Sequence, residues 1–223
     1  MSPVTTVLLD ALGTLVELQP PAPRLRAALG REGFEVSEEQ AAAGIGAEIG
    51  YYLSHHLEGH DRESLADLRD RCAEEMRRTL VIPGLGHAAA RRAMMDALEF
   101  VPYPDAIPGL RALRKRGLTL VIASNWDCSL PDWLRPSGLN ELVDGVVTSA
   151  DARAAKPDPQ VFLRALKVAG AGPDEALHVG DSVENDVEGA RAAGIRALLV
   201  ARGGEPPAGV ATVRSLEEVP SVI

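Results

Sequence analysis

Asp10 stands directly after the apolar run Val7-Leu8-Leu9 and before Ala-Leu-Gly-Thr-Leu15, which supplies a Gly turn and a hydroxyl. A short apolar run that ends in a turn predicts a buried strand, with Asp10 at its carboxyl end. In parallel sheets the ligand cleft lies outside the carboxyl ends of the strands. A carboxylate in such a cleft can attack an electrophile and form a covalent intermediate. The pattern therefore indicates a nucleophile.

Three further groups of polar residues lie beside predicted strand ends: Ser124-Asn125, Lys156-Pro-Asp158 and Gly180-Asp-Ser-Val-Glu-Asn-Asp186. Lys156 is one of only three lysines in the chain, so a chemistry that needs a lysine has few to choose from. Because the carboxyl ends of parallel strands meet at one edge of a sheet, these groups are expected to converge there. Their convergence predicts a single site.

The elements that position these residues alternate between strand and helix after residue 100. Asp105 is expected to cap a helix that stops at Gly117. Beyond it, the pattern predicts strands at 118–123, 145–148, 176–179 and 196–200, with helices at 158–169 and 183–193. Strands separated by helices of this length form a parallel sheet covered on both faces. The expected fold class is α/β, with a Rossmann-like parallel sheet.

Residues from about 20 to 100 follow a different pattern, rich in helix formers and without a convincing strand. Apolar residues recur there at helical spacing, and Ser37-Glu-Glu-Gln40 is a capping box that opens one helix. This segment is therefore expected to form a small all-helical bundle inserted after the first strand.

Composition limits the classes of partner. The 223 residues carry a net charge of −9 with no block of basic residues, so neither nucleic acid nor an anionic membrane is expected as a partner. The chain has only two cysteines, too few for a disulfide framework to be expected. It contains no run of 18 apolar residues, so no membrane-spanning helix is expected. A cytoplasmic protein is expected, and its oligomeric state is not readable from the sequence.

The four polar groups, in this order and with a helical insert directly after the first, resemble the haloacid dehalogenase (HAD) superfamily of aspartate-nucleophile hydrolases. The resemblance covers the whole chain. It implies a HAD-like α/β core domain at 1–17 and 100–223, with an α-helical cap domain at 18–99.

The same resemblance implies roles for the site residues. Asp10 would be the nucleophile, and Ser124 and Asn125, with nearby backbone amides, would hold an anionic substrate group. Lys156 would offset negative charge, and Thr14 would orient the first loop. The implied metal ligands are Asp10, the backbone carbonyl of Leu12, Asp181 and Asp186, one of the last two carboxylates lying in the outer shell.

Charge supports a metal in this site. Three carboxylates that converge on one lysine leave about two negative charges uncompensated, which would raise pKa values and repel anions. A hard divalent cation with oxygen ligands resolves both problems and also binds phosphate, and the expected cation is Mg²⁺.

Leu12 departs from the pattern of the family's phosphatases, which have a second aspartate at this position as general acid and base. General acid–base catalysis of this kind raises the reaction rate by a factor of about 10²–10⁴. The sequence therefore predicts a Mg²⁺-dependent phosphate monoester hydrolase of weak or restricted activity toward a small-molecule phosphate ester. Asp127 is the nearest candidate in the sequence for a substitute acid.

Two alternatives stay open. The first is a 2-haloacid dehalogenase, which needs no proton donor because halide leaves without one. Asp181 counts against it, because the dehalogenases use no metal and have no aspartate at the corresponding position. A non-catalytic protein that binds a phosphorylated ligand or a protein partner is the other. Phosphonate cleavage would need a lysine within 18–99, which has none.

Three histidines of the helical insert, His55, His56 and His60, have two interpretations. The simpler one is that they are solvated residues at helix ends, and the other is that they are metal ligands.

Overall fold

The computed structural model describes residues 2–223 and divides the chain into two compact units. The first unit runs to Glu17 and resumes at Val101–Ile223, and the second is Leu18–Phe100. Among residues 2–223, no helix is both long enough and apolar enough to cross a bilayer.

The first unit is built on a six-stranded sheet, whose strands are β1 (Thr6–Leu9), β4 (Thr119–Ser124), β5 (Gly145–Thr148), β6 (Ala176–Gly180), β7 (Arg196–Val200) and β8 (Thr212–Val213). Their order in the sheet is β5-β4-β1-β6-β7-β8, and every neighbouring pair is parallel. The chain builds outward from β1 on one side through β4 and β5, then returns to build the other side from β6. The central strand β1 is therefore where the strand order reverses, which in open α/β sheets is where ligands bind.

Helices cover both faces of this sheet. They are α5 (Ala106–Lys115), α6 (Leu130–Leu134), α7 (Ser149–Ala152), α8 (Pro159–Ala169) and α9 (Gly189–Ala192). On one face, Leu8 and Val121 pack with Val161 and Phe162 of α8 in a buried cluster. Because strand side chains alternate, neighbouring residues such as Leu9 point to the opposite face, where they are equally buried. The predicted α/β fold class is confirmed.

The second unit is a bundle of α1 (Pro21–Arg31), α2 (Glu38–His55), α3 (Arg62–Leu80) and α4 (His87–Ala97). The predicted capping box is present, because the Ser37 hydroxyl accepts from Gln40 N and the Gln40 side chain accepts from Ser37 N. Apolar stripes of the four helices form one buried cluster that includes Leu29, Ile45 and Met76. Two three-residue strands, β2 (Val16–Leu18) and β3 (Phe100–Pro102), pair where the chain enters and leaves this unit. They were not predicted, since runs so short carry little periodicity.

Two local predictions are wrong. Residues 183–193 are not a single α-helix: Val183–Glu188 is a π-helical turn, because the Ser182 carbonyl accepts from both Asp186 N (3.0 Å) and Val187 N (3.2 Å). Asp105 does not cap α5, because its Oδ2 accepts instead from Leu216 N (2.8 Å) and Arg202 Nη1 (2.5 Å). At Asp105, tertiary partners therefore outweigh the local sequence preference.

Candidate active site

Asp10 begins the loop that follows β1, and the loop is wound tightly around it. Its amide donates to Val179 O of the neighbouring strand (2.9 Å), and the Ala11 carbonyl accepts from the amides of residues 14–16. Gly13 has φ +86°, and a Cβ there would lie 2.3 Å from Asp181 Oδ2. Only glycine therefore allows this loop to approach Asp181 so closely. Leu12, at the tip of the loop, is 43% exposed.

Lys156 bridges two carboxylates. It is 4% exposed, and its Nζ donates to Asp10 Oδ1 (2.6 Å) and to Asp186 Oδ1 (2.6 Å). Burial opposes the charge on the ammonium, but Asp10 and Asp186 outweigh it and hold the pKa of Lys156 above its ordinary value. The lysine is therefore charged, and it holds together the carboxylates of the loop after β1 and of the π-helical turn Val183–Glu188.

Asn125 fixes the backbone of that lysine. Its Nδ2 donates to Lys156 O (3.0 Å), and its Oδ1 accepts from Lys156 N (2.7 Å). Asn125 follows β4 directly, so the end of this strand positions the lysine loop. Ser124, the last residue of β4, is buried at the same edge of the sheet.

Asp186 is buried, and both of its carboxylate oxygens have hydrogen-bond partners. Its Oδ1 accepts from Lys156 Nζ and lies 2.9 Å from His178 Nε2, and its Oδ2 accepts from Ser182 N (2.9 Å). Burial alone would raise its pKa, but the Lys156 charge and the bond from His178 hold that pKa well below its ordinary value. Gly180 makes room for this carboxyl, since a Cβ at Gly180 would lie 2.2 Å from Asp186 Cγ.

Asp181 is the exposed carboxylate of the site, and it takes a hydrogen bond from Thr14 Oγ1 (3.1 Å). Partial desolvation, and then the charges of Asp10 and Asp186, raise the pKa of Asp181 to about 6. The local negative charge therefore exceeds what Lys156 neutralises. One carboxylate oxygen from each of Asp10, Asp181 and Asp186 lies within 4.8 Å of the others. An all-oxygen donor set with excess negative charge fits a hard divalent cation.

The structure thus joins Asp10, Thr14, Lys156, Asp181 and Asp186 by direct contacts, and Asn125 through the lysine backbone. The other candidates lie in different settings. Asp127 is buried, and its Oδ1 accepts from Ser129 N (2.7 Å), which closes a local turn. In the helical unit, each of His55, His56 and His60 has its Nδ1 on a backbone carbonyl. The potential metal cluster found among residues 2–223 contains none of these three.

Sequence reasoning missed two residues that support the site. His178 lies in β6 and is fully buried beneath Asp186. Arg202, just beyond β7, donates to Thr14 O (2.6 Å) and to Asp105 Oδ2, and its guanidinium lies 4.0 Å from the ring centroid of Tyr103. A histidine inside the otherwise apolar run 176–179, directly before Gly180-Asp181, was the available signal for the first. No local pattern marks the second.

Comparisons with known proteins agree with this architecture. The haloacid dehalogenase-like hydrolase family model matches residues 4–194. A phosphoserine phosphatase from Thermus thermophilus is 30% identical over 90% of both chains. The crystal structure of a HAD phosphatase from Thermococcus onnurineus superimposes with a TM-score of 0.68 at 27% identity, covering 98% of this chain and 97% of that one.

The structure of L-2-haloacid dehalogenase from Xanthobacter autotrophicus matches with a TM-score of 0.71 and covers 98% of both chains. At 24% identity, it shows the shared fold alone. A bovine haloacid dehalogenase-like hydrolase domain-containing protein 3 is 48% identical over 97 residues, and that match spans only 38% of its length. The family match covers most of the chain, and the chain belongs to the haloacid dehalogenase-like hydrolases.

Proposed function

We propose that this hydrolase is a Mg²⁺-dependent phosphate monoester hydrolase in which Asp10 is the nucleophile. The observation that carries the proposal is the three-carboxylate cluster around one lysine, whose Nζ lies 2.6 Å from both Asp10 Oδ1 and Asp186 Oδ1. The likeness to the Thermus thermophilus phosphoserine phosphatase over 90% of both chains supports the same activity.

The chemistry follows from which oxygen of Asp10 is engaged. Because Lys156 binds Oδ1, we assign the attack to Oδ2, which forms a bond to phosphorus as the bond from phosphorus to the leaving oxygen breaks. The leaving oxygen keeps the electron pair of that bond, departs as an anion and takes up a proton from solvent. Water then attacks the phosphorus of the aspartyl phosphate, which returns the Asp10 carboxylate and releases inorganic phosphate. Lys156, with Ser124 at the end of β4, is proposed to bind the phosphoryl oxygens.

Asp10, Asp181, Asp186 and the Leu12 carbonyl are the proposed metal-binding groups. When bound there, Mg²⁺ would offset the excess negative charge and polarise the phosphoryl group. The raised pKa of Asp181 supports this part of the proposal, since it reports carboxylate charge that Lys156 does not neutralise. Asp186, already engaged by three donors, is the better candidate for the outer-shell role.

Leu12 restricts the substrates. An exposed leucine beside the nucleophile can neither protonate a leaving oxygen nor activate water. The enzyme is therefore proposed to act on small phosphate esters whose leaving group departs with little protonation. Residues 18–99 are proposed to serve as the cap domain that selects the substrate, and the cytoplasmic location expected from the sequence remains part of the proposal.

A 2-haloacid dehalogenase is the second candidate, favoured by the apolar side chain of Leu12 beside the nucleophile. Halide departs without a proton, so Leu12 would cost this reaction nothing. The exposed Asp181 weighs against it, because an additional unneutralised carboxylate would repel a haloacid anion.

A paired screen separates the two. The purified protein would be assayed for phosphate release from p-nitrophenyl phosphate and a panel of alkyl phosphates with Mg²⁺, and for chloride release from 2-chloropropionate in EDTA. We expect p-nitrophenyl phosphate hydrolysis that EDTA abolishes. Chloride release without metal would overturn the proposal, and inactivity in both assays would favour a non-catalytic binding protein.

Asp10→Asn is the matched variant for the nucleophile, because it keeps the size of the side chain and removes its charge. We expect phosphate release to fall to background, and wild-type protein quenched during turnover to carry acid-stable phosphate on Asp10. Retained activity in Asp10→Asn would exclude the covalent mechanism while leaving hydrolysis itself intact.

A further inference from the structure

The carboxylate of Asp186 is shared between a residue of the site and a residue of the core. On one side its Oδ1 binds the Lys156 ammonium at 2.6 Å, and on the other the same oxygen lies 2.9 Å from His178 Nε2. His178 is 0% exposed, and its ring edge packs against Phe162 with centroids 4.9 Å apart. The contacts form a chain from the sheet interior to the nucleophile: His178, Asp186, Lys156, Asp10.

The direction of the hydrogen bond from His178 is fixed by its other ring nitrogen. Among residues 2–223, Nδ1 of His178 is buried without a hydrogen-bond partner. A hydrogen on Nδ1 would therefore be left unsatisfied, whereas a hydrogen on Nε2 meets a carboxylate oxygen. The contacts therefore place a hydrogen on Nε2, from which His178 donates to Asp186 Oδ1.

We propose that His178 is a positioning residue that keeps the Lys156 ammonium on the nucleophile Asp10; this rests on the proposed role of Asp10. Lys156 is held between two carboxylates at equal distances of 2.6 Å, so its position depends on how strongly each attracts it. The bond from His178 occupies part of the acceptor capacity of Asp186 Oδ1. It leaves that oxygen a weaker competitor for the lysine.

Removal of the donor has a predictable effect. Without His178 N–H, Asp186 Oδ1 would bind Lys156 more strongly and draw the ammonium away from Asp10. Loss of an outer hydrogen-bond partner at such sites typically costs about 10–100-fold in activity or metal affinity. His178 does not touch the substrate, so the effect reaches the reaction only through the position of Lys156.

The first test does not need turnover. The other two lysines, Lys115 and Lys167, are exposed, so a slowly exchanging side-chain ammonium signal in ¹H–¹⁵N NMR spectra belongs to buried Lys156. We expect His178→Leu to shift this signal and His178→Gln, which restores an N–H donor, to leave it near the wild-type position. Long-range ¹H–¹⁵N spectra should show a hydrogen on Nε2 of His178. An unchanged Lys156 signal in His178→Leu, or the absence of a hydrogen on Nε2, would overturn the proposal.

The second test uses p-nitrophenyl phosphate with Mg²⁺. His178→Leu is expected to lower kcat about 10–100-fold and, because Lys156 is also proposed to bind the phosphoryl oxygens, to raise KM. His178→Gln is expected to reverse most of both changes. Phe162→Leu is the packing control, because it loosens the wall against the His178 ring and keeps the donor. It should lower the denaturation midpoint while retaining kcat. An equal loss of kcat in Phe162→Leu, or no recovery in His178→Gln, would show a merely structural role.

The two tests separate this proposal from the function on which it rests. If the wild-type protein does not hydrolyse p-nitrophenyl phosphate, the phosphatase proposal is contradicted, and the Lys156 signal alone decides whether His178 governs the position of the ammonium. If hydrolysis is present but His178→Leu retains full kcat, only the role of His178 is contradicted.

Discussion

The side-chain amide of Asn125 binds both backbone polar groups of Lys156, through Nδ2 to Lys156 O at 3.0 Å and Oδ1 to Lys156 N at 2.7 Å. A side-chain amide carries a donor and an acceptor in one plane, so it can bind a backbone amide and a backbone carbonyl at the same time. The clamp fixes where the lysine side chain starts, and the carboxylates of Asp10 and Asp186 fix where it ends. Precise placement of the charge therefore depends on a residue that need not touch the substrate.

Asn125→Ala should reduce both stability and turnover. It leaves the Lys156 amide and carbonyl without partners, at a cost of about 1–3 kcal/mol in the free energy of unfolding for each group left unsatisfied. Lys156 would then be less well placed, so kcat should fall as well. Asn140→Ala is the matched control, because Asn140 Nδ2 also donates to a backbone carbonyl, that of Pro131, away from the carboxylate cluster. Urea denaturation measures the loss of stability, and phosphate-release assays measure the loss of kcat. An equal loss of kcat in Asn140→Ala would contradict the specific role of Asn125 in placing Lys156.

Gly13→Ala tests the close approach of the first loop to Asp181. A Cβ at Gly13 would lie 2.3 Å from Asp181 Oδ2, and φ of +86° is itself unfavourable for alanine by about 1–2 kcal/mol. Gly117→Ala is the control that measures the cost of the positive φ alone, since Gly117 has φ +75° and no heavy atom within 4 Å of its added Cβ. We expect Gly13→Ala to lose more stability than Gly117→Ala in urea unfolding. It should also raise the Mg²⁺ concentration needed for half-maximal hydrolysis, whereas equal losses would show that the contact with Asp181 relaxes freely.

Much of the site is predictable because the sheet determines it. Asp10 and Asp181 follow apolar runs, and once those runs are parallel neighbours their ends must meet. The helical insert was equally clear, since Ser37 and Gln40 form a capping box that depends only on local spacing. These features need no knowledge of how distant side chains pack.

Other features depend on distant contacts that no local pattern encodes. His178 looks like a core residue until Asp186 is placed above it, and the placement of Asp186 depends on the π-helical turn at Val183–Glu188. Asp105 has the local sequence of a helix cap, yet Arg202 and the Leu216 amide bind its carboxylate instead. At Asp105, partners far away in sequence outweigh a local preference worth about 1 kcal/mol.

Leu12→Asp should restore the missing acid and base. If the proposed mechanism is correct, hydrolysis of alkyl phosphates should rise by about 10²–10⁴, while p-nitrophenyl phosphate, whose leaving group needs little protonation, should gain less. Leu12→Asn is the matched control, because it has nearly the same shape as aspartate and cannot transfer the proton. Initial rates on both substrates with Mg²⁺ measure the effect. No selective gain on alkyl phosphates would show that the pocket no longer supports acid catalysis from this position.

Glu48 makes the stability of the helical unit depend on pH. It is 4% exposed, and burial, only partly offset by a hydrogen bond with the Cys72 side chain, raises its pKa from 4.5 to about 7. The folded state therefore holds a proton that the unfolded state has lost between these values. The contribution of Glu48 to stability is therefore fully present below pH 4.5 and falls by about 3 kcal/mol as pH rises to 7. Glu48→Gln removes this effect, so in urea denaturation it should exceed the wild type by up to about 3 kcal/mol at pH 8 and differ little at pH 5.

Exposed Glu39, on the same helix, provides the control for Glu48→Gln, since Glu39→Gln should shift the free energy of unfolding by less than about 1 kcal/mol at both pH values. If the stability difference between Glu48→Gln and the wild type is the same at pH 5 and pH 8, the Glu48 carboxyl titrates normally.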